Sequence, residues 1–352
     1  MALDAPQPFF GEGTFRKPAE WEPHKAVWVA WPWDERDWQQ DLPGAQNELI
    51  QLCSAILNLD ESGRRRGELI AMLVRDEDDQ HYIEAKLGPS AAHTRFHFIP
   101  SGDLWLRDTA PLFVKSQTGL EAAACFEFNG WGGKYLYPDD AHVARRIARA
   151  SGVTRMDVPL VLEGGGLEFD GKGTCLTTRQ CLLHPKRNPH RTQADIEDIL
   201  QRALGVSKIL WLEEGLLNDH TDGHIDNLAR FVAEGTVLCM TPDPQGDPNR
   251  AVLLDIHNHL QSARDAAGRT LRVVTLPSPG FVARDDGSPY PASYLNFYIA
   301  NSTVVVPAFG KPADREAQAV LATLFPSRRV ISLGARSLLT GGGTFHCITQ
   351  QQ

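Results

Sequence analysis

The chain has 352 residues, with 35 Lys and Arg against 44 Asp and Glu for a formal net charge of −9, and 42% of its residues are hydrophobic. A chain of this length can bury a large core, and its acidic balance argues against a surface built for nucleic-acid phosphates or anionic lipid while favouring a small cationic partner. No apolar run reaches the ~18 residues of a membrane span, and the opening MALDAPQPFFGEGTF lacks the apolar stretch of a secretory signal, so a cytoplasmic protein is expected.

In chain order, amphipathic helices alternate with strand-like runs. The first helix is predicted in PGAQNELIQLCSAILNLDE, where Leu49, Leu52, Cys53, Ile56 and Leu57 share a face behind Pro43 and Gly44, and the strand ELIAMLV follows it. AACFEF precedes a helix in DDAHVARRIARA from Asp139, which leads into RMDVPLVL, and GTCLTT precedes one in TQADIEDILQRAL from Thr192, which leads into KILWL. LARFV and TVLCM come before DPNRAVLLDIHNHLQSA from Asp247 and the strand LRVVTL. YLNFYIA and STVVV come before PADREAQAVLATLF from Pro312 and the strand RRVISL. The fold class is therefore α/β, with roughly five similar helix-bearing units in place of strict βαβ alternation. No linker or low-complexity tract divides the chain, so residues 1–352 are expected to form one domain.

Gly, aromatic and acidic residues coincide in WLRDTAP (105–111), FNGWGGKY (128–135), EGGGLEF (163–169), HTDGHIDNLARF (220–231), YLNFYIAN (294–301) and GGGTFHCITQQ (341–351). Glycine runs permit the close backbone approach that a corner beside a ligand needs. The six cysteines contain no CxxC pair and are expected as free thiols, and Cys347, behind a triple glycine and His346, is the candidate nucleophile. On an extended segment, His224 and Asp226 of HTDGHIDN would share one face, with His224 a candidate base. Asp108 beside Arg107 and Glu163 before a glycine run complete the acidic set. His220 and His224 have the i, i+4 spacing of helical zinc ligands and His257 with His259 forms HxH, but Gly223 and two aspartates make a poor helix and no HExxH occurs. Neither a phosphate loop nor GxGxxG is present, which leaves nucleotide binding unsupported.

Together with PAEWEPHKAVWVAWPW near the start and CLLHPKRNP, these segments resemble the agmatine deiminase family, also called Porphyromonas-type peptidyl-arginine deiminases, of the guanidino-group-modifying superfamily. The resemblance implies a pentein fold, a five-bladed α/β propeller of ββαβ modules around a central active site, with no metal or organic cofactor, and a homodimer. By position it makes Cys347 the nucleophile, His224 the acid/base, and Asp226, Glu163 and Asp108 the carboxylates that hold a guanidinium. Trp105 corresponds to the tryptophan over the substrate channel, and Gly342 and Gly343 line it. The implied reaction is agmatine plus water to N-carbamoylputrescine plus ammonia, with the polyamine putrescine downstream. Alternatives are another guanidine (peptidyl-arginine or arginine) or an amidinotransferase in which an amine resolves the intermediate, and, from another class, a metal-dependent amidohydrolase using His220, His224, His257 and His259. Free arginine would need a partner for its carboxylate, for which Arg107 and Arg230 are open. One departure stands out: family members commonly carry an acid, near the distal ammonium of agmatine, where this chain has His220. Asp219 or Asp222 would then substitute, or the substrate has a different tail. Three carboxylates around Cys347 are expected to raise its thiol pKa in the empty site and a bound cation to lower it.

Overall fold

A computed structural model describes residues 15–352; the opening segment on which the reading of no export signal rests lies outside the described residues. Among the described residues, five separate sheets carry the mixed α/β fold. In each, one long strand has an antiparallel neighbour on one side and a parallel neighbour on the other, and the parallel pair is joined through a helix, as a same-direction return requires. Glu121–Glu127 and Thr154–Val161 pair across helix Asp140–Ser151, and Thr174–Thr178 and Lys208–Leu212 across Gln193–Leu204. Thr236–Thr241 and Arg272–Pro277 pair across Arg250–Ser262, and Thr303–Ala308 and Arg329–Gly334 across Ala313–Leu324. In the fifth sheet Ala26–Ala30 and Leu69–Val74 pair across Leu42–Leu57. There the antiparallel neighbour is the C-terminal strand Gln350–Gln351, so the two ends of the chain meet in one ladder.

The five expected helices all form, because each presents one apolar stripe to a sheet. Leu42–Leu57 buries Leu49, Leu52, Cys53, Ile56 and Leu57 and stops at Asn58, whose φ of 46° turns the chain. Gln193–Leu204 opens with a reciprocal capping box between Thr192 and Asp195. The helices and strands enclose three apolar clusters, the first of which includes Cys347. Among the described residues no helix is long and apolar enough to cross a membrane.

Three details differ from the sequence reading. Strand Thr94–Phe98, reached through helix Glu77–Leu87, extends the sheet of Ala26–Ala30 and Leu69–Val74; the helix opens with three acids and buries only Asp79, Ile83 and Leu87, so its periodicity is weak. Within YLNFYIA only Tyr298–Ile299 pairs as a strand. Residues 225–227 form a 3₁₀ turn, so His224 and Asp226 do not alternate along a strand. Five of the six segments rich in Gly and aromatic residues lead into the antiparallel strands, while FNGWGGKY follows Glu121–Glu127 on the way to helix Asp140–Ser151; there the backbone is free of the ladder and can turn side chains inward.

Candidate active site

Asp108 sits in the short helical turn Leu106–Thr109, which the backbone ties to the chain terminus through a bond from Arg107 N to Cys347 O of 3.1 Å. One Asp108 oxygen accepts the Trp131 indole N–H at 2.9 Å and the other the Gly165 amide at 3.0 Å. Trp131 adopts φ 53°, a conformation rarely taken by a bulky residue, and the glycines on either side in FNGWGGKY make that turn possible. Glu163 ends the run before the turn Gly164–Gly166, and both of its oxygens accept from Arg187 Nε, at 3.0 and 2.8 Å. Arg187 in turn bonds Asp222 and the Thr221 carbonyl, each at 2.8 Å.

His224 is fully buried between these acids, its Nδ1 3.7 Å from Asp108 and its Nε2 3.6 Å from Glu163. Gly165 is what lets the group converge. A Cβ there would lie 2.6 Å from His224 Nδ1, 2.9 Å from Asp108 Oδ1 and 3.1 Å from Asp226 Oδ2. The 3₁₀ turn therefore delivers His224 and Asp226 to one place although the strand geometry expected of them is absent.

Cys347 completes the cluster. Asn296 Nδ2 approaches its sulfur at 3.0 Å and Asp226 Oδ2 lies 3.5 Å away. The Asn296 carbonyl oxygen collects the backbone N–H groups of Thr344, His346 and Cys347 at 3.1–3.2 Å, which fixes the loop carrying the thiol. His346 bridges two carboxylates, Asp226 at Nδ1 and Glu20 at Nε2, each at 2.8 Å. A side chain at Gly343 would come within 2.9 Å of the sulfur and 2.8 Å of the Trp105 ring, so glycine there keeps the approach open.

Burial and charge set the protonation states. Burial lifts the Asp108 carboxyl to about 6 against the pull of His224, with Asp226 and Glu163 adding to the rise. Burial also opposes the ionised forms of Glu163 and Asp226, but His224 and Arg187 hold the first below its usual range and His346 does the same for the second. His224 would be lowered by burial alone; Asp108, Cys181 and Glu163 outweigh this and keep it an imidazolium. Burial, then Asp226 and Asp108, push the Cys347 thiol well above its ordinary value.

A cavity of about 220 Å³ opens above the sulfur, with Asp108, Trp105, Trp131, His220, Gly342 and Gly343 in its wall. All nine residues singled out from the sequence are therefore at this site: six in or on the cavity with Cys347 at its floor, and Glu163, His224 and Asp226 buried behind them. The sequence reading did not single out Trp131, Arg187, Asn296, His346 or Glu20. All five lay within quoted segments, Glu20 in PAEWEPHKAVWVAWPW and Arg187 in CLLHPKRNP, but no spacing there points to the partners they find.

Other expectations do not hold. Arg107 and Arg230 are not available to a substrate carboxylate: Arg230 is bound by Glu20 at 2.9 Å and Glu168 at 3.0 Å, and Arg107 by Gln351 and the His346 carbonyl. Asp219 accepts from Thr221 and the His224 amide, and Asp222 from Lys134 and Arg187, so neither replaces an acid at His220. His220, His224, His257 and His259 do not assemble. His257 and His259 lie on helix Arg250–Ser262, and the metal-capable group found among the described residues is Glu163, Cys181 and His224. Arg187 already occupies both Glu163 oxygens in that group.

A family model described as Porphyromonas-type peptidyl-arginine deiminase matches residues 16–352. The agmatine deiminase of Stutzerimonas stutzeri (strain A1501) is 38% identical over 358 residues, covering 95% of this chain and 94% of the relative. That of Pseudomonas aeruginosa (strain LESB58) is 37% identical over 361 residues, covering 96% and 95%. The solved agmatine deiminase of Enterococcus faecalis superposes with a TM-score of 0.89 at 32% identity over 96% of each chain. Fold and site thus define an enzyme of the guanidine iminohydrolase class. The chain belongs to the Porphyromonas-type peptidyl-arginine deiminase family.

Proposed function

We propose that this enzyme hydrolyses agmatine to N-carbamoylputrescine and ammonia through a covalent intermediate on Cys347. The observation that carries the reading is a deficit of donors among the acids: Asp226 Oδ1 is buried without a hydrogen-bond partner, beside Asp108 and the imidazolium of His224 and next to the thiol. A guanidinium is a flat cation whose N–H groups supply those donors, and carboxylates on several sides fix its plane for attack at carbon.

Entry of the cation offsets the acids that hold the Cys347 proton, and the thiol loses that proton to solvent. The thiolate adds to the guanidinium carbon, forming a C–S bond. His224 gives its proton to the departing nitrogen, the C–N bond breaks, ammonia leaves and a thiouronium remains. Water then takes the vacated place and gives a proton to His224. Its oxygen adds to carbon, the C–S bond breaks with its electron pair returning to sulfur, and the ureido product leaves as the last proton passes to ammonia. Trp105 and Trp131 wall the path to the sulfur.

The five sheets with their repeated strand order favour a five-bladed α/β propeller around this site, with the chain a single catalytic domain that the terminal strand Gln350–Gln351 closes against Ala26–Ala30. A cytoplasmic location and a homodimer belong to the same reading. The test is ammonia release from agmatine by the native protein and by Cys347→Ala, with mass spectrometry of the quenched native reaction. Ammonia from both proteins alike, or no adduct at Cys347, overturns the covalent route.

A further inference from the structure

Behind His220, on the side of the cavity away from Cys347, lies the Arg284 guanidinium, whose charge is felt by Asp286 but is met by no ion pair. Arg284 has no carboxylate within ion-pair distance among the described residues, and its Nε is buried without a partner. Its two terminal nitrogens converge on His220 Nε2, each at 3.4 Å, and its guanidinium lies 4.7 Å above the Tyr290 ring. His220 lines the cavity, where its ring stacks on Tyr135 and its Nδ1 lies 3.0 Å from the Tyr135 hydroxyl. Since Arg284 can only donate, Nε2 is the accepting nitrogen and Nδ1 carries the proton. Burial, then Arg284 and Lys134, keep this imidazole below its usual pKa against the pull of Asp219.

The acids nearby are already engaged. Asp219 and Asp222 serve Thr221, His224, Lys134 and Arg187 as described above. Asp103, also on the cavity wall, takes the indole N–H groups of Trp38 and Trp105, one on each oxygen. Asp37 accepts the Tyr137 hydroxyl on one oxygen and is exposed, so it remains the acid to which a cationic tail can turn. On the His220 side the Arg284 guanidinium meets only long contacts, to His220 Nε2 and to the Asn218 carbonyl at 3.5 Å, and an anion with paired acceptor oxygens is the group that satisfies it fully.

We propose that His220 and Arg284 form a second tail-binding position, which lets the enzyme hydrolyse guanidino acids, in which a carboxylate ends the carbon chain, in addition to agmatine. The carboxylate takes the place of His220 Nε2 as the acceptor for the Arg284 nitrogens, while the guanidino end reaches Cys347 as agmatine does. The chemistry at carbon is unchanged: C–S forms, ammonia leaves, water enters and a ureido acid is released. The proposal rests on the guanidine-hydrolase reading above.

The experiment compares agmatine with 4-guanidinobutyrate, which match in chain length and differ in the charge at the far end. Ammonia release by the native protein from both is expected. Arg284→Gln is expected to shift the ratio of kcat/KM at least about tenfold toward agmatine, mainly through the KM of the acid, as loss of a charge-assisted hydrogen bond does, with Arg284→Lys shifting it less. Agmatine turnover by each variant reports that it is folded. Ammonia from agmatine alone, or a ratio unmoved by Arg284→Gln, overturns the second tail position and leaves the agmatine reading standing. Ammonia from neither compound overturns the agmatine reading and this proposal with it.

Discussion

Asn296 holds Cys347 from two sides, its amide nitrogen 3.0 Å from the sulfur and its carbonyl oxygen accepting the Cys347 backbone N–H at 3.2 Å. The nitrogen stabilises a thiolate and works against the burial that raises the thiol. Asn296→Ala is expected to lower kcat/KM for agmatine by about 10- to 100-fold, the value of a buried hydrogen bond to a charged atom. Steady-state kinetics together with the pH dependence of Cys347 alkylation check this: the alkylation midpoint should rise in the variant, and an unchanged midpoint contradicts the role given to the amide.

In the empty site the Cys347 thiol should remain protonated through neutral pH, because burial, Asp226 and Asp108 all oppose its ionisation. Difference absorbance at 240 nm between the native protein and Cys347→Ser is expected to show the thiolate only well above pH 9. A thiolate signal at pH 7 without ligand would contradict that electrostatic reading.

Asp108 must be ionised to receive a guanidinium, and burial raises it to about 6. The free-enzyme profile of kcat/KM is therefore expected to climb as pH rises through about 6. Trp131→Phe removes the indole donor that favours the carboxylate, so the acid limb should move to higher pH. The same shift affects stability. Between the ordinary carboxyl pKa and about 6 the folded protein holds a proton on Asp108 that the unfolded chain releases, so this group's contribution to stability falls as pH rises across that window. Asp108→Asn should flatten that part of a pH series of urea denaturations.

Gly165→Ala places a methyl group 2.6 Å from His224 Nδ1 and 2.9 Å from Asp108 Oδ1. Some of these groups must move, and kcat/KM is expected to fall by about 100-fold or more, since displacements near 1 Å at the reacting centre cost that much. Circular dichroism should show the fold retained. Near-native kinetics would mean that the three side chains do not need the spacing seen here.

Arg187 and Glu163 form a fully buried ion pair. Arg187→Met leaves Glu163 charged and without its principal partner, and should cost about 3–5 kcal/mol of stability in urea denaturation. A loss below about 1 kcal/mol would show that solvent or another group compensates the acid.

The sequence by itself determined the helices and most strands, because apolar spacing and end caps are local and each amphipathic face needs a sheet to cover it. It also marked the residues that the fold gathers at and behind the cavity: Cys347, His224, Asp226, Glu163 and Asp108 lie in segments where Gly and aromatic residues interrupt the hydrophobic pattern. Tertiary structure alone decided which charges are free and which are consumed. Glu20 reaches His346 across 326 positions of chain and Arg187 reaches Glu163 across 24, and no local pattern encodes either pairing. Arg107 and Arg230 looked available because they sit in reactive motifs, yet buried cations must find counterions, and the fold supplies those from Glu20 and Glu168. Arg284 lies in a loop with no motif around it, and only packing beside His220 sets its guanidinium behind the cavity wall without an ion-pair partner.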